Sequence, residues 1–560
     1  MSLGVGLASL CSVVALLYRL FTSYNLPSTL PWAGARGQHG RIARARANIA
    51  SFFHLRQLLD EGYHEYSKRD RAYVLPYFLN GPEVVLPPSQ IAWLVSQPDH
   101  ILCQDKVNRQ FLQAEYVFAH ANLVKDPVHP EVIQQQLTRK LATFIPAIVQ
   151  EMEHSLADKW GVNEGEWVEV GMYDTLLDIV TRLSLRVFMG PELCRDPALI
   201  KACQSFDRKV ALPAAAISMF PELLKPIVAP FFTAYDYVQY LRCRRIILPI
   251  IRSRLEKLRN EELPVTDTKP PNDYIQWAID HAFAKPVLDP LELDERVITS
   301  RFAVLCFAAI QSSVITLTNA IFDIVSSPER DDILSRLRED VLQATTTTSS
   351  STSTSISSVV GDNAMVWTKA SIAKMRLVDS SIRESMRLNG FIQRGVVKMV
   401  VAPEGVTLPD GSHLPCGTKV GVSGYSIHRD EDNYEDPNTF KPFRFTSLPP
   451  AGTTASPPQN LVNTSPTFMG FSHGAHACPG RFFAANQLKI ALGHIALRYD
   501  ITPAATAAAA VCEHGTVGDG AVTCTKRPEN KWFFGHMAPP LTEKVRVRRR
   551  RNAASDFQAV

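Results

Sequence analysis

The stretch Phe471-Ser472-His473-Gly474-Ala475-His476-Ala477-Cys478-Pro479-Gly480-Arg481 sets a single cysteine at the threshold of a helix. From Arg481 to Arg498 apolar residues recur at Phe482, Phe483, Leu488, Ile490, Leu492, Ile495 and Leu497, an amphipathic spacing, with proline in the first turn. A cysteine placed there lies near free backbone N–H groups and the positive end of the helix dipole. Both favour the thiolate, the form that ligates a metal. The alternative is a buried structural cysteine in a glycine-rich turn.

The pattern F-x-x-G-x-[RH]-x-C-x-G is filled by Phe471, Gly474, His476, Cys478 and Gly480. It resembles the heme-ligand loop of the cytochrome P-450 monooxygenases, and the resemblance implies Cys478 as the axial ligand of heme b (iron protoporphyrin IX). The glycines are expected to let backbone pass close under a flat macrocycle and to permit turns of positive φ.

Upstream, the helix from Leu377 to Leu388 carries Glu384 and Arg387, an E-x-x-R pair on one helical face. Such pairs are common on surfaces. Phe440-Lys441-Pro442-Phe443-Arg444-Phe445 is similar to the family's second motif. The resemblance implies that Glu384, Arg387 and Arg444 form a three-way ionic network behind the heme loop.

A long apolar helix, from about Leu293 to Val325, is similar to the family's central helix, which crosses the face where dioxygen binds. Its window Ala308-Ala309-Ile310-Gln311-Ser312-Ser313 departs from the family pattern, with Gln311 at the usual acid position and Ser312 at the usual threonine. The Ser312 hydroxyl can donate a proton or hold a water, whereas Gln311 cannot titrate. The competing role for Ser312 is a bond back to its own helix. The early-helix W-x-x-x-R of the family is also missing, since His129 to Arg139 contains no tryptophan. His476 and Arg394 are then the implied contacts of the heme propionates, because a buried carboxylate needs a cationic or N–H donor.

At 560 residues with 46% hydrophobic and 20% charged content, the chain has the composition of a large globular protein, and no charged or Gly/Ser linker divides it. A net charge of +4 does not call for nucleic acid as a partner. Ten cysteines are scattered without a C-x-x-C pair, which points to a reducing compartment rather than a disulfide scaffold or zinc site. Residues 1–24 open with an apolar run from Leu3 to Leu17 and are followed by Arg36, Arg41, Arg44, Arg46 and Arg56, with no acid before Asp60. This reads as a single N-terminal membrane anchor that leaves the rest in the cytoplasm; a cleaved signal peptide is the alternative. The expected order is anchor 1–24, a Pro/Arg-rich connector 25–49, a heme domain 50–535 with low-complexity loops at 345–358 and 449–466, and a basic tail 536–560. Within the domain, Asn80-Gly81 marks a hairpin between Ala72 to Phe78 and Glu83 to Leu86, a short helix spans Leu55 to Tyr66, and Val396 to Val422 alternates like paired strands.

The resemblance therefore implies one mainly α domain with a small β-sheet subdomain, the cytochrome P-450 fold, with heme between the central helix and the helix after the Cys478 loop. The implied function inserts one oxygen atom from O2 into a lipophilic small molecule. It is closest to the anchored fungal enzymes of secondary metabolite biosynthesis, a terpenoid being favoured, on the endoplasmic reticulum membrane. No Gly-rich dinucleotide fingerprint stands between a strand and a helix, so NADPH is used indirectly, through a flavoprotein reductase on the same membrane. The alternatives are a heme-thiolate isomerase or dehydratase that needs no O2, and a non-catalytic heme-binding protein.

Overall fold

The computed structural model describes residues 25–35, 40–119, 123, 129–259, 271–346, 365–391, 393–446, 459–504, 526–533 and 535–551. Its axis is the central helix, Glu295–Val325, whose 31 residues extend roughly 46 Å at 1.5 Å each. Asp294 starts it by accepting the Arg296 N–H through its side chain. Among the described residues this is the one helix long and apolar enough to cross a membrane, but its apolar window is 67% buried inside the protein, so it is a core helix. Around it pack Met172–Phe188, Pro197–Lys209, Lys225–Arg259, Arg376–Asn389 and Arg481–Arg498. Each presents an apolar stripe; that of Met172–Phe188 runs through Leu176, Val180, Leu183 and Val187, all buried.

The β subdomain has five strands in the order Tyr73–Leu75, Glu83–Val85, Lys419–Val422, Gly395–Val400 and Leu102–Cys103. Val74 pairs with Val84, Val84 with Val420 in parallel, and Val400 with Leu102. These residues and Ile91, Leu94 and Ile427 form a second core beside the helical one. The expected hairpin is present with shorter strands than the sequence predicts, and the expected pairing in 396–422 is present as well. The helix after Cys478 spans Arg481–Arg498, as expected.

Two expected boundaries are corrected. The run Lys544–Arg549 is not a solvated tail but the middle strand of a three-stranded sheet, between Val168–Gly171 and Tyr499–Pro503. The reason is its alternation: Val545 and Val547 are fully buried, while Arg546 and Arg548 lie over the Trp167 ring, 5.5 and 4.6 Å from its centroid. His536–Ala538 likewise pairs with Lys531–Phe533, so the folded unit runs past 535. The connector is not a free spacer either: Leu30, Trp32 and Ala35 are buried in the sheet's core, and Trp32 bridges to Val74. The short helix begins after His54, as expected, and is preceded across that kink by a further helical stretch from Arg41. The anchor 1–24 and most of both low-complexity stretches lie outside the described residues.

Candidate functional site

Cys478 sits three residues before Arg481–Arg498 in a loop closed by its N–H bond to the Phe471 carbonyl, 2.9 Å. Arg481 Nη1 donates to the Cys478 carbonyl at 2.9 Å. The thiol is half-buried and free. Burial pushes it above its ordinary value, outweighing the Gly480 and Arg481 N–H groups and the Arg481 charge, which favour the thiolate. The N–H groups at the helix start thus favour the thiolate as the sequence leads one to expect, and a bound cation would favour it further.

The two loop glycines differ. Gly474 has φ +84°, and an added Cβ would lie 2.9 Å from Val95 Cβ, so both backbone and space require glycine. Gly480 has φ −86° and needs no positive-φ freedom; an added Cβ there would meet nothing within 4 Å. The loop thus leaves open space at Gly480, two residues after the cysteine. Phe471 is buried below it, and His476 is exposed, its Nε2 2.7 Å from Asp99 Oδ1.

Behind the loop the three expected network residues meet. Glu384 is fully buried and accepts from Arg387 Nε and Nη2 at 2.8 Å each, from Arg444 Nε at 3.0 Å and from the Lys441 N–H at 3.1 Å. Arg387 also donates to the His428 and Pro437 carbonyls. Arg444 donates to the carbonyls of Glu435, Asp436 and Thr439. The link to the loop is His428, which sequence reasoning missed. Its Nε2 accepts the Met469 N–H at 2.9 Å, two residues before Phe471. Burial and the charges of Arg429, Arg387 and Arg383 push this imidazole down to about 3, so it stays a neutral acceptor. Arg383 adds a second tie: its Nη1 holds the Asn460 and Asn463 carbonyls, and its guanidinium lies 3.7 Å from the Phe468 ring centroid. A lone histidine after a strand offers no spacing signal that could have flagged it.

On the central helix, Ala308 is exposed and Phe307, Ala309, Gln311, Ser312 and Ile315 are half-buried, although the residues around them are buried. Gln311 Nε2 donates to the Tyr173 hydroxyl at 2.8 Å, which fixes it to the neighbouring helix. Ser312 Oγ donates to the Ala308 carbonyl at 3.1 Å, and Ser312's own carbonyl receives Thr316 Oγ1 at 2.8 Å. The Ser312 hydroxyl is thus satisfied within its helix.

Arg394 lies beside a cleft of about 230 Å³ that Ser472 of the cysteine loop also lines, with Phe111, Phe391 and Val396 as apolar walls. The guanidinium donates to Glu83 Oε1 and rests 4.3 Å from the Tyr77 ring centroid. Burial lowers its pKa, but Glu83 and Tyr77 outweigh this and raise it, so the residue is a permanent cation. The structure therefore brings Arg394 to the same cleft as the loop, while His476 faces Asp99. Arg139, on the early helical segment, is exposed.

These residues fit a flat, metal-centred group: a free thiol, open space at Gly480, a half-buried stripe on a core helix, and a fixed cation nearby. The comparisons with known proteins agree. The family model described as Cytochrome P450 matches residues 100–516. Among curated proteins, cytochrome P450 monooxygenase gloP of Glarea lozoyensis is 30% identical over 98% of this chain and 97% of its own length. Cytochrome P450 monooxygenase htyF of Aspergillus rugulosus is 31% identical over 96% of this chain and 77% of its own length. Among solved structures, a retinoic acid bound cyanobacterial CYP120A1 aligns with TM-score 0.59 at 16% identity, covering 89% of this chain and 96% of that one, a likeness of fold. The helical core with its small sheets, the cysteine loop and the buried Glu384 network thus stand in a chain that belongs to the cytochrome P450 family, as an oxidoreductase of its monooxygenase class.

Proposed function

We propose that this enzyme inserts one oxygen atom from O2 into a lipophilic fungal secondary metabolite, a terpenoid skeleton being favoured, with electrons from a separate NADPH-dependent flavoprotein reductase. The observation that carries the reading is the free Cys478 thiol in a closed loop, with open space at Gly480 two residues on. Cys478 would hold the iron of heme b, and Arg394 and His476 would hold its propionates. Heme ligated by a thiolate supplies the activation of O2 by favouring O–O cleavage.

The chain's own residues bind, orient and handle protons. Ser312 Oγ can rotate from the Ala308 carbonyl to hand a proton to a water in the half-buried stripe. Gln311 carries none to give, and instead holds Tyr173 in place. Buried Glu384 and Arg387, with half-buried Arg444, act as scaffold, tied to the loop through His428. Membrane residence is supported by strongly exposed apolar side chains, with Leu223 at 89%, Phe231 at 80% and Phe53 at 73%. An N-terminal anchor in residues 1–24, the endoplasmic reticulum as site and a cytoplasmic catalytic domain complete the reading.

The test is reconstitution with a P450 reductase, NADPH and isotopically labelled dioxygen. Label in the product, with NADPH consumed in step, is the expected result. Product formed without NADPH would favour a heme-thiolate isomerase or dehydratase, the reading that an untitratable Gln311 suits. Heme binding without turnover of any substrate would leave a non-catalytic heme protein.

A further inference from the structure

Three cysteines that lie far apart in the sequence come together in the fold. Cys203 stands on Pro197–Lys209, Cys243 on Lys225–Arg259 and Cys306 on the central helix, and each of these helices packs against the other two. All three side chains are buried, and all three thiols are free. Cys203 is the hub, its sulfur hydrogen-bonded with both the Cys243 and the Cys306 thiols. One buried thiol is a small hydrophobe. Three in contact can do redox chemistry that none can do singly. As acceptor of two S–H bonds, Cys203 is held below the ordinary thiol value although burial opposes this, and the thiolate is the nucleophile. Cys194 is the contrast: burial and the Glu151 charge push its thiol up to about 12.

One turn along each helix, the same three walls enclose a small cavity. Phe206, Tyr240 and Ala303, each three residues from one of the cysteines, line it together with Ser300 and Tyr237. Its volume of about 10 Å³ is room for about one water-sized molecule. Ser300 Oγ donates to the Tyr240 hydroxyl at 3.1 Å, so one wall is polar, and Tyr237 is 52% exposed, so another reaches the surface. Hydrogen peroxide exceeds water by a single oxygen atom. A bulky disulfide such as oxidised glutathione is far too large for this space.

We propose that Cys203, Cys243 and Cys306 form an oxidation site for hydrogen peroxide, in which Cys203 and Cys243 become a disulfide and Cys306 stands as the alternative partner of Cys203. The Cys203 thiolate attacks one peroxide oxygen, the O–O bond breaks, and the departing hydroxide takes up the proton that the thiol gave away. The Cys243 thiol then attacks the resulting sulfenic acid; the S–S bond forms, the S–O bond breaks, and the thiol proton leaves with the oxygen as water. Two thiols lose two electrons in all, and one hydrogen peroxide becomes two waters. The bridge ties Pro197–Lys209 covalently to Lys225–Arg259, and a dithiol reverses it. The site is separate from the Cys478 loop and does not depend on the monooxygenase reading.

The test is hydrogen peroxide treatment of the full-length holoenzyme, followed by alkylation in denaturant and mass spectrometry of proteolytic peptides. The wild type should yield a Cys203–Cys243 cross-link, two hydrogens lighter than its parts and lost on adding dithiothreitol, while Cys194 stays open to alkylation. Cys243→Ser should move the bridge to Cys306, and Cys243→Ser combined with Cys306→Ser should yield none. The urea midpoint of the treated wild type should rise and that of the treated double variant should not, because a bridge constrains only the chain that carries it. The bulkier tert-butyl hydroperoxide should form the cross-link more slowly. No cross-link at a peroxide dose that oxidises the exposed Cys416, a bridge between Cys243 and Cys306 in Cys203→Ala, or a cross-link that appears only in unfolded protein would overturn the proposal.

Discussion

Replacing Glu384 by glutamine keeps its volume and removes its charge. Glu384 is fully buried and faces Arg387, equally buried, which would be left with the His428 and Pro437 carbonyls, the Tyr434 ring and an amide. Breaking a buried ion pair from one side costs about 3–5 kcal/mol, because the other charge stays behind without compensation. At about 1.4 kcal/mol per factor of ten, the folding equilibrium constant falls by roughly two to three and a half powers of ten. Arg444→Ala removes the outer arm of the same network. Its other hydrogen bonds run to the Glu435, Asp436 and Thr439 carbonyls at the surface, and Glu384 keeps Arg387. That change should cost about 1–2 kcal/mol. The assay is a urea titration followed by circular dichroism, with the heme-to-protein ratio taken at each point. The reasoning is refuted if Glu384→Gln unfolds at the wild-type midpoint, or if Arg444→Ala is the more damaging of the two.

Gly474→Ala should destabilise the loop by about 1–2 kcal/mol from positive φ alone, plus the contact with Val95. Val95→Ala should recover only the contact part, read as a partial return of the melting temperature. His428 is held neutral in the fold, so protons bind the unfolded chain first. Its contribution is complete above the ordinary histidine value of 6.5 and is lost as pH falls from there towards about 3. Stability measured from pH 7 to 4 should therefore fall less steeply in His428→Gln than in the wild type. Ser312→Ala should leave the urea midpoint within about 0.5 kcal/mol, since the hydroxyl bonds only its own helix. Its product yield per NADPH should drop if that hydroxyl hands on a proton, and an unchanged yield would remove Ser312 from the mechanism.

Much of the site was legible because its chemistry is local in sequence. The cysteine loop lies within eleven residues, and Glu384 and Arg387 are one helical turn apart, so spacing alone puts them together. The central helix was equally plain from its unbroken apolar length. What escaped depends on contacts between distant segments. His428 reaches Met469 only after the strand Lys419–Val422 has docked, and Cys203, Cys243 and Cys306 meet only once their three helices have packed. The run Lys544–Arg549 misled because arginines dominate its charge while two valines decide its burial. At Cys478 the helix start favours the thiolate as the sequence suggests, while burial, invisible in the sequence, acts in the other direction.

The central claim is that Cys478 binds heme iron through sulfur. The most direct measurement is the carbon monoxide difference spectrum of the dithionite-reduced, full-length protein in microsomes, beside Cys478→Ala. The account predicts the strongly red-shifted Soret band of thiolate-ligated heme in the wild type and its loss in the variant. An unshifted band in folded wild-type protein, or a red-shifted band that survives Cys478→Ala, would contradict it.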